Sequence, residues 1–329
     1  MTITDQQKKI LGILADGEFH SGSILADTLG VSRSAVWKQL HSLTELGLEP
    51  IAVSGKGYRL ERPIEFLSSE KIESVLMESV RLSISDLNIH DRLDSTNNHL
   101  INQAKCAARS GAVCLAEFQT AGKGRRGRSW VSPFGSNIYL SLLWHFHNGP
   151  SAISGLSLAV GVSVIRALAS LGLSGIGLKW PNDIYWQEHK LGGILIEVTG
   201  ETHGPCAAVI GIGLNIYMPD REAAMIDQAW IDLTRIMGGI SISRNRLAGT
   251  LLNELLPILA DYENHGLKPY LDEWRSYDCL EGRPVVIYHG DSAITGNAGG
   301  IDDNGLFRLM IADGKACCFA SGEVSFSKN

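Results

Sequence analysis

The sequence predicts an α+β protein of several domains, and three observations predict it. Residues 1–63 carry apolar repeats at helical spacing and then two short alternating runs. Residues 66–277 mix long apolar helices with strands. Residues 278–329 hold only short alternating strands separated by turn residues. A chain of 329 residues with 44% apolar side chains has material for two or three cores. Charged residues make up 19%, which argues against disorder. The net charge of −6 gives no global attraction to nucleic acid, so any DNA binding must be local. The six cysteines, Cys106, Cys114, Cys206, Cys279, Cys317 and Cys318, include no C-x-x-C pair. That argues against a zinc knuckle, and no metal ligand is assigned. The polar start MTITDQQKKI reads as neither signal peptide nor anchor, and no membrane span is expected. Buried free thiols in the cytoplasm are the expectation.

The N-terminal elements follow in order. Thr4 can cap a helix over 4–15, with Ile10, Leu11 and Leu14 on one face and Gly17 ending it. A second helix over 21–29 should turn Ile24, Leu25 and Leu29 inward. Ser32 caps a third, in which Val36, Leu40 and Leu43 repeat at helical spacing. Its other face shows Arg33, Ser34, Trp37, Lys38 and His41, and no acid lies between Val31 and Thr44. A hairpin follows: Ile51 and Val53 alternate, Ser54-Gly55-Lys56-Gly57 turns, and Tyr58 and Leu60 alternate. Together these make a winged helix-turn-helix. Ser32, Arg33, Ser34, Trp37, Lys38 and His41 would meet DNA in the major groove, and Lys56 at the wing tip would approach phosphate. The alternative is a winged helix used for protein contacts, which the absence of an overall basic charge favours. Pro63 marks a boundary.

In the central segment the stretch AGKGRRGRSW, residues 121–130, is the most unusual. Its glycines match G-x-G-x-x-G after a strand over 112–118, but Pro133 and Gly135 deny the helix that a dinucleotide fingerprint requires. A loop that grips phosphate through Arg125, Arg126 and Arg128 remains, against a solvated linker or a nucleic-acid patch. Self-repelling and glycine-rich, it should be mobile until an anion neutralises it. Asp94-Ser95-Thr96-Asn97-Asn98 opens a helix toward Cys106, as caps or as donors to a polar ligand. Strands are expected over 137–144, 176–180, 184–186, 194–198 and 207–216, with a long apolar helix over 153–171. Gly211 and Gly213 would let a ligand approach the backbone. The strands over 137–144 and 194–198 are candidates for an intersubunit sheet edge. Lys190, just before Gly192-Gly193, could point into a pocket or into solvent from a turn.

The last segment offers strands over 284–288, 293–296, 305–310 and 316–319, with turns at 289–291, 302–305 and 312–314. In their order, the winged helix, AGKGRRGRSW, KWPND, KLGGILIE and GIGLN resemble the bifunctional biotin–protein ligase and biotin operon repressor family along essentially the whole chain. The resemblance implies a class II synthetase-like catalytic domain over 66–277 with a mixed or antiparallel sheet, and an SH3-like β-barrel over 278–329. It implies that ATP with its Mg²⁺ and biotin are substrates. Biotinyl-5′-AMP is then both intermediate and corepressor, and biotin carboxyl carrier protein of acetyl-CoA carboxylase and operator DNA are partners of an adenylate-induced homodimer. Ser95, Thr96, Asn97, Gln119, Gly122, Lys123, Gly124, Arg125, Lys190 and Gly193 would then contact biotin. Arg125, Arg126, Arg128, Trp130, Asn182, Lys190, Asn215, Ile226 and Trp230 would contact the nucleotide. Lys190, Arg125 and Asp183 would act in catalysis. Lys123 stands where an arginine is commoner in the bifunctional enzymes, which keeps the charge and loses the fork. Two rival classes are a metabolite-sensing regulator without ligase activity and a lipoate-type ligase fused to a DNA reader.

Overall fold

The structure, a computed structural model, describes residues 3–106, 108–200, 204–290, 292–311 and 314–327. Helix α1 (Asp5–Leu14) opens on a capping box: the Gln7 amide donates to Thr4 Oγ1 at 3.1 Å, and Gln7 Oε1 accepts from the Thr4 amide at 2.9 Å. Ser21 caps α2 (Gly22–Leu29), Gly30 ends it in the left-handed region, and Ser32 caps α3 (Arg33–Ser42). Ile10, Leu11, Leu14, Leu25, Val36, Leu40 and Leu43 form their shared core. Ile24 departs from expectation and is 55% exposed. Leu25 and Leu29 share the inward face, four residues apart, which turns Ile24 and Thr28 outward. Strands β1 (Ile51–Val53) and β2 (Gly57–Arg59) pair antiparallel as the wing, and Tyr58 exchanges backbone hydrogen bonds with His20. A Cβ on Gly57 would stand 2.1 Å from the His20 oxygen, so the wing can cross here only as glycine.

The expected boundary at Pro63 is a packed junction. The Arg62 guanidinium donates to Gly135 O at 3.1 Å and Ser136 Oγ at 2.7 Å, and lies 4.2 Å from the Tyr217 ring centroid. Phe134, from the central segment, is buried in the N-terminal core.

Short helices α4 (Ser69–Glu73) and α5 (Glu78–Ser83) lead into the central sheet. Its strands are β3 (Asp86–His90), β4 (Ala112–Ala116), β5 (Ile138–Phe146), β6 (Ile176–Lys179), β7 (Asp183–Trp186), β8 (His189–Gly200) and β9 (Cys206–Leu214), in the order β3-β4-β5-β9-β8-β7-β6. Only β3 and β4 pair parallel, so the sheet is mixed. Alternation assigns its two faces. Val113, Leu115, Leu140, Leu142, Ile210 and Ile212 face one core with α7 (Leu156–Ser170) and α10 (Arg244–His265), while Ala112, Cys114, Leu143 and Val209 face α6 (Thr96–Lys105). The segment Pro150–Ser170 is long and apolar enough to cross a membrane, but it is 67% buried as a core helix. Helices α8 (Asp220–Ala223), α9 (Leu233–Ile236) and α11 (Leu271–Ser276) complete this part.

The strand over 137–144 is β5, an interior strand, so it offers no edge. Strand β8 differs because it outruns β7, whose register ends at Gly193. From Leu195 to Gly200 its ladder runs to β9 alone. That half is an edge, with Val198 44% exposed.

Residues 284–326 form an antiparallel five-stranded sheet, β10 (Pro284–His289), β11 (Ser292–Ile301), β12 (Phe307–Met310), β13 (Ala316–Phe319) and β14 (Glu323–Phe326), in the order β13-β12-β11-β10-β14. Strand β14 was not anticipated, and the expected turns at 289–291 and 312–314 run into positions outside the described residues. The core of this sheet is continuous with the central one through Val285, Ile287, Phe307 and Leu309. All six cysteines are free. Cys114 and Cys206 are buried, whereas Cys106 and Cys318 are exposed, so burial of all six thiols does not hold.

Asp278 sits where the central segment gives way to β10. Burial pushes its carboxyl up to about 6 from an ordinary 3.8, against the Leu280 amide that donates to Oδ1 at 2.8 Å, while Oδ2 has no partner. A raised carboxyl binds its proton more tightly folded than unfolded, so stability falls as pH climbs from about 3.8 to about 6 and the loss is complete above it. Asp278→Asn is therefore expected to raise the melting temperature at pH 8 by a few degrees and to leave it nearly unchanged near pH 4. Thermal melts of both proteins across that range check it.

Candidate active site

On the α6 face of the sheet lies a cavity of about 330 Å³. Its lining includes Ser95, Thr96, Asn97, Gln119, Lys123, Gly124, Arg125, Arg128, Trp130, Asn182, Asp183, Lys190 and Gly193. Each wall has a local cause. The first turn of α6 brings Ser95, Thr96 and Asn97, all buried, and Ser95 makes no side-chain cap bond, so it is not spent on holding the helix. Gln119 Oε1 accepts from the Thr96 amide at 2.9 Å, and its Nε2 donates to Ser132 Oγ at 3.0 Å. Asn97 Nδ2 donates to Glu197 Oε2 at 2.8 Å, and its Oδ1 lies 2.6 Å from Ser141 Oγ. This end of the cavity is a preset polar network.

Gly211 and Gly213 line the cavity, and they also serve a second purpose. A Cβ on Gly211 would stand 2.3 Å from Asn97 Oδ1, and one on Gly213 would stand 2.7 Å from the Trp130 ring. They admit two side chains of the protein itself, so that Asn97 and Trp130 reach the cavity. Gly193 is different: a Cβ there would meet Lys190 and Asp183 only at ordinary contact, 3.5 Å and beyond.

Lys190 points inward. Its Nζ lies 2.8 Å from Asp183 Oδ1 and 5.8 Å from the Trp130 ring centroid, so the solvent-facing alternative fails. The bulge between β7 and β8 at Ile184/Tyr185 and the bond from Lys190 N to Ala229 O set this geometry. Sequence reading missed Lys179, whose Nζ lies 3.6 Å from Asp183 Oδ2 and donates to Tyr185 Oη at 3.2 Å. A lysine in the apolar alternation of IGLK was the available signal. Burial alone would raise the Asp183 carboxyl, but Lys190 and then Lys179 override it and hold it below its ordinary value. Asp183 is thus a fixed carboxylate that aims Lys190 into the cavity.

The basic loop is tied to other elements through its charged side chains. Its cations have found partners far away in sequence. Arg125 donates to Asn182 Oδ1 at 3.1 Å and Gly322 O at 3.4 Å, Arg128 pairs with Glu323 at 2.8 Å, and Lys123 pairs with Glu197 at 3.3 Å. Arg126 and Gly122 do not line the cavity. Arg126, at φ 56°, turns outward to Tyr288 O and Glu323, and Gly122 is packed under the Trp130 oxygen, 2.5 Å from where a Cβ would be. A smaller pocket of about 60 Å³ adjoins, lined by Trp130, Lys190, Asn215, Ile226 and Trp230, with Asp227 and Gln228 that sequence reading did not single out. Two buried polar atoms there lack partners in the protein, Trp130 Nε1 and Asn215 Oδ1. They are free to bond a ligand or a water in the pocket.

The residues assigned to DNA stand elsewhere. Ser32, Arg33, Ser34, Lys38, His41 and Lys56 are exposed, and Trp37 is 58% exposed, stacked on His41 with ring centroids 5.5 Å apart.

Fold and site define a helix-turn-helix reader joined to a ligase domain. Residues 6–59 match the HTH domain model, and residues 89–215 match the biotin/lipoate A/B protein ligase family. The chain is 42% identical over 317 residues to the bifunctional ligase/repressor BirA of Escherichia coli, covering 96% of each. It is 31% identical to that of Bacillus subtilis, covering 91% of this chain and 92% of the relative. A biotin protein ligase from Aquifex aeolicus in complex with biotin and ATP superimposes with a TM-score of 0.63 at 26% identity, over 75% of this chain and all of the other. The chain belongs to the bifunctional ligase/repressor family of biotin protein ligases.

Proposed function

We propose that this protein joins biotin to ATP as biotinyl-5′-AMP and transfers the biotinyl group to a lysine of biotin carboxyl carrier protein. The same adenylate would make it a repressor of biotin synthesis genes. The observation that carries the reading is the inward ammonium of Lys190, fixed by Asp183 between a polar pocket and an aromatic one.

The polar network of Ser95, Thr96, Asn97 and Gln119 suits the biotin head, and Trp130, Ile226 and Trp230 suit the adenine. The biotin carboxylate attacks the α-phosphate of ATP, the bond to the β-phosphate breaks, and pyrophosphate leaves. Mg²⁺ enters with the ATP phosphates as part of the substrate. Lys190 and Arg125 stabilise the charge that builds on the transferring phosphate. In the second step a carrier lysine amine attacks the acyl carbon and AMP leaves. Asp183, a carboxylate in its own ion pair, orients Lys190 and would accept the proton that the attacking amine loses. The loop closes over the adenylate and limits its hydrolysis. A lipoate-type ligase shares the fold, but the kinship along the whole chain favours biotin.

Arg125→Gly removes the two tethers that Arg125 supplies to the loop, to Asn182 and to Gly322. It is expected to speed adenylate escape more than it slows synthesis, so that bystander lysines become labelled. Label confined to the carrier lysine, with unchanged adenylate dissociation, would refute the clamp. Carrier labelling with radioactive biotin and ATP tests the ligase reading itself.

The protein is read as cytoplasmic, divided as 1–63, 66–277 and 278–329, with an SH3-like last unit and a class II synthetase-like centre. The unpaired half of β8 is the candidate edge for a homodimer. Glu197 lies on that half and bonds Asn97 and Lys123, which ties the edge to the cavity. Biotin with ATP is expected to promote dimerisation and tighten operator binding, and apo-carrier to oppose both by using the same edge. Sedimentation and operator binding check this, and equal values in all three states would refute the coupling.

A further inference from the structure

Beneath α6, among residues that do not line the cavity, three donors converge from separate elements: His90 at the end of β3, His99 in the middle of α6 and Cys114 in β4. Their ligand atoms all lie within 4.8 Å of one another. We propose that these residues form a binding site for a borderline-soft divalent cation of the zinc class.

Several observations support it beyond proximity. His90 Nε2 is buried and has no hydrogen-bond partner, so a lone pair or a proton there is unsatisfied in the protein alone. The His90 and His99 rings stand 4.6 Å apart at 58°, a tilted pair that can turn nitrogens toward one point. Gln103, one turn along α6, places its side-chain amide nitrogen 2.9 Å from His99 Nε2, so ligation through Nδ1 requires that amide to turn its Oε1 toward a protonated Nε2. The Cys114 Sγ is fully buried beneath them. Asp86 acts electrostatically on both His90 and Cys114 and favours a positive guest. Two imidazoles and one thiolate select zinc-class cations over magnesium or calcium, and solvent can supply a fourth ligand. On binding, the Cys114 thiol releases its proton to solvent and the thiolate donates its electron pair, with no redox change.

The spacing of His90, His99 and Cys114 is no sequence motif. Only the parallel β3–β4 pair, which places Asn88 beside Cys114, with α6 crossing above, brings them together. A cation here would pin three elements at once. The same α6 carries Thr96 and Asn97 into the cavity, so occupancy would stiffen the polar end of the site.

The test uses the untagged full chain, stripped with chelator and titrated with Co(II). One equivalent is expected to give ligand-field bands and a sulfur-to-cobalt charge-transfer band, both displaced by Zn(II) and not by Mg(II). Zn(II) should raise the melting temperature. Cys114→Ser should abolish the charge-transfer band, and Cys318→Ser, at an exposed thiol, should not. Because Cys114 is in the core, His90→Ala on the half-buried strand end serves as a second variant, with affinity expected to fall about a hundredfold. Absence of saturable binding, or bands that survive in both His90→Ala and Cys114→Ser, would overturn the site.

Discussion

Lys190→Ala is expected to slow single-turnover formation of the adenylate about a hundredfold, a barrier increase of ~3 kcal/mol, while the protein stays folded. The size follows from where the charge sits. The Lys190 side chain is only 13% exposed and its Nζ is aimed by Asp183 at 2.8 Å, so it acts where water screens little. The contact strengthens as charge builds on the phosphate, so kcat and kcat/KM should fall together. The fold survives because Asp183 keeps Lys179 at 3.6 Å as a second partner. Rapid-quench kinetics beside a thermal melt check both halves. Normal adenylation by a folded mutant would remove Lys190 from the chemistry.

Glu117→Ala is expected to cost about 3–5 kcal/mol of stability. Glu117 Oε2 lies 2.6 Å from Arg244 Nη1, and both side chains are 4% exposed. The other carboxylate oxygen accepts from the Leu67 amide at 2.6 Å. Arg244 also donates to Asn137 O through Nε and Nη2, and to Glu65 O through Nη1. One ion pair thus ties the strand-to-loop exit after β4 to the start of α10, to the approach to β5 and to the linker from the N-terminal unit. Removing the carboxylate leaves a buried guanidinium without its counter-charge and the Leu67 amide without its acceptor. Urea unfolding measures the loss. A loss below about 1 kcal/mol, the range of exposed pairs, would mean that the pair is solvated in solution.

The parts of this protein that sequence reading could reach were those set by local rules. Ser32 and the spacing of Val36 and Leu40 placed α3, and the glycines and cations of 121–130 marked a loop that now borders the cavity. What it missed depended on partners far along the chain. The partners of the loop's cations were out of its reach: Glu323, Glu197 and Asn182 pair with or tether Arg128, Lys123 and Arg125. Gly211 and Gly213 do line the cavity, but that they also make room for Asn97 and Trp130 shows only in the fold, because those side chains come from elsewhere. Lys179 opens KWPND but was given no role, Tyr185 carried no motif, and their value appears only once β6 and β7 pair. The free half of β8 follows from strand lengths, which sequence patterns fix poorly.

The defining property of the cavity around Lys190 is activation of biotin by adenylation. The direct measurement is to incubate the purified chain with ATP labelled at the α-phosphate, Mg²⁺ and either biotin or lipoate, and to separate the labelled products. Labelled biotinyl-5′-AMP should accumulate with biotin, be lost in Lys190→Ala, and discharge as AMP when carrier protein is added. No labelled adenylate with biotin, or as much with lipoate, would contradict the account.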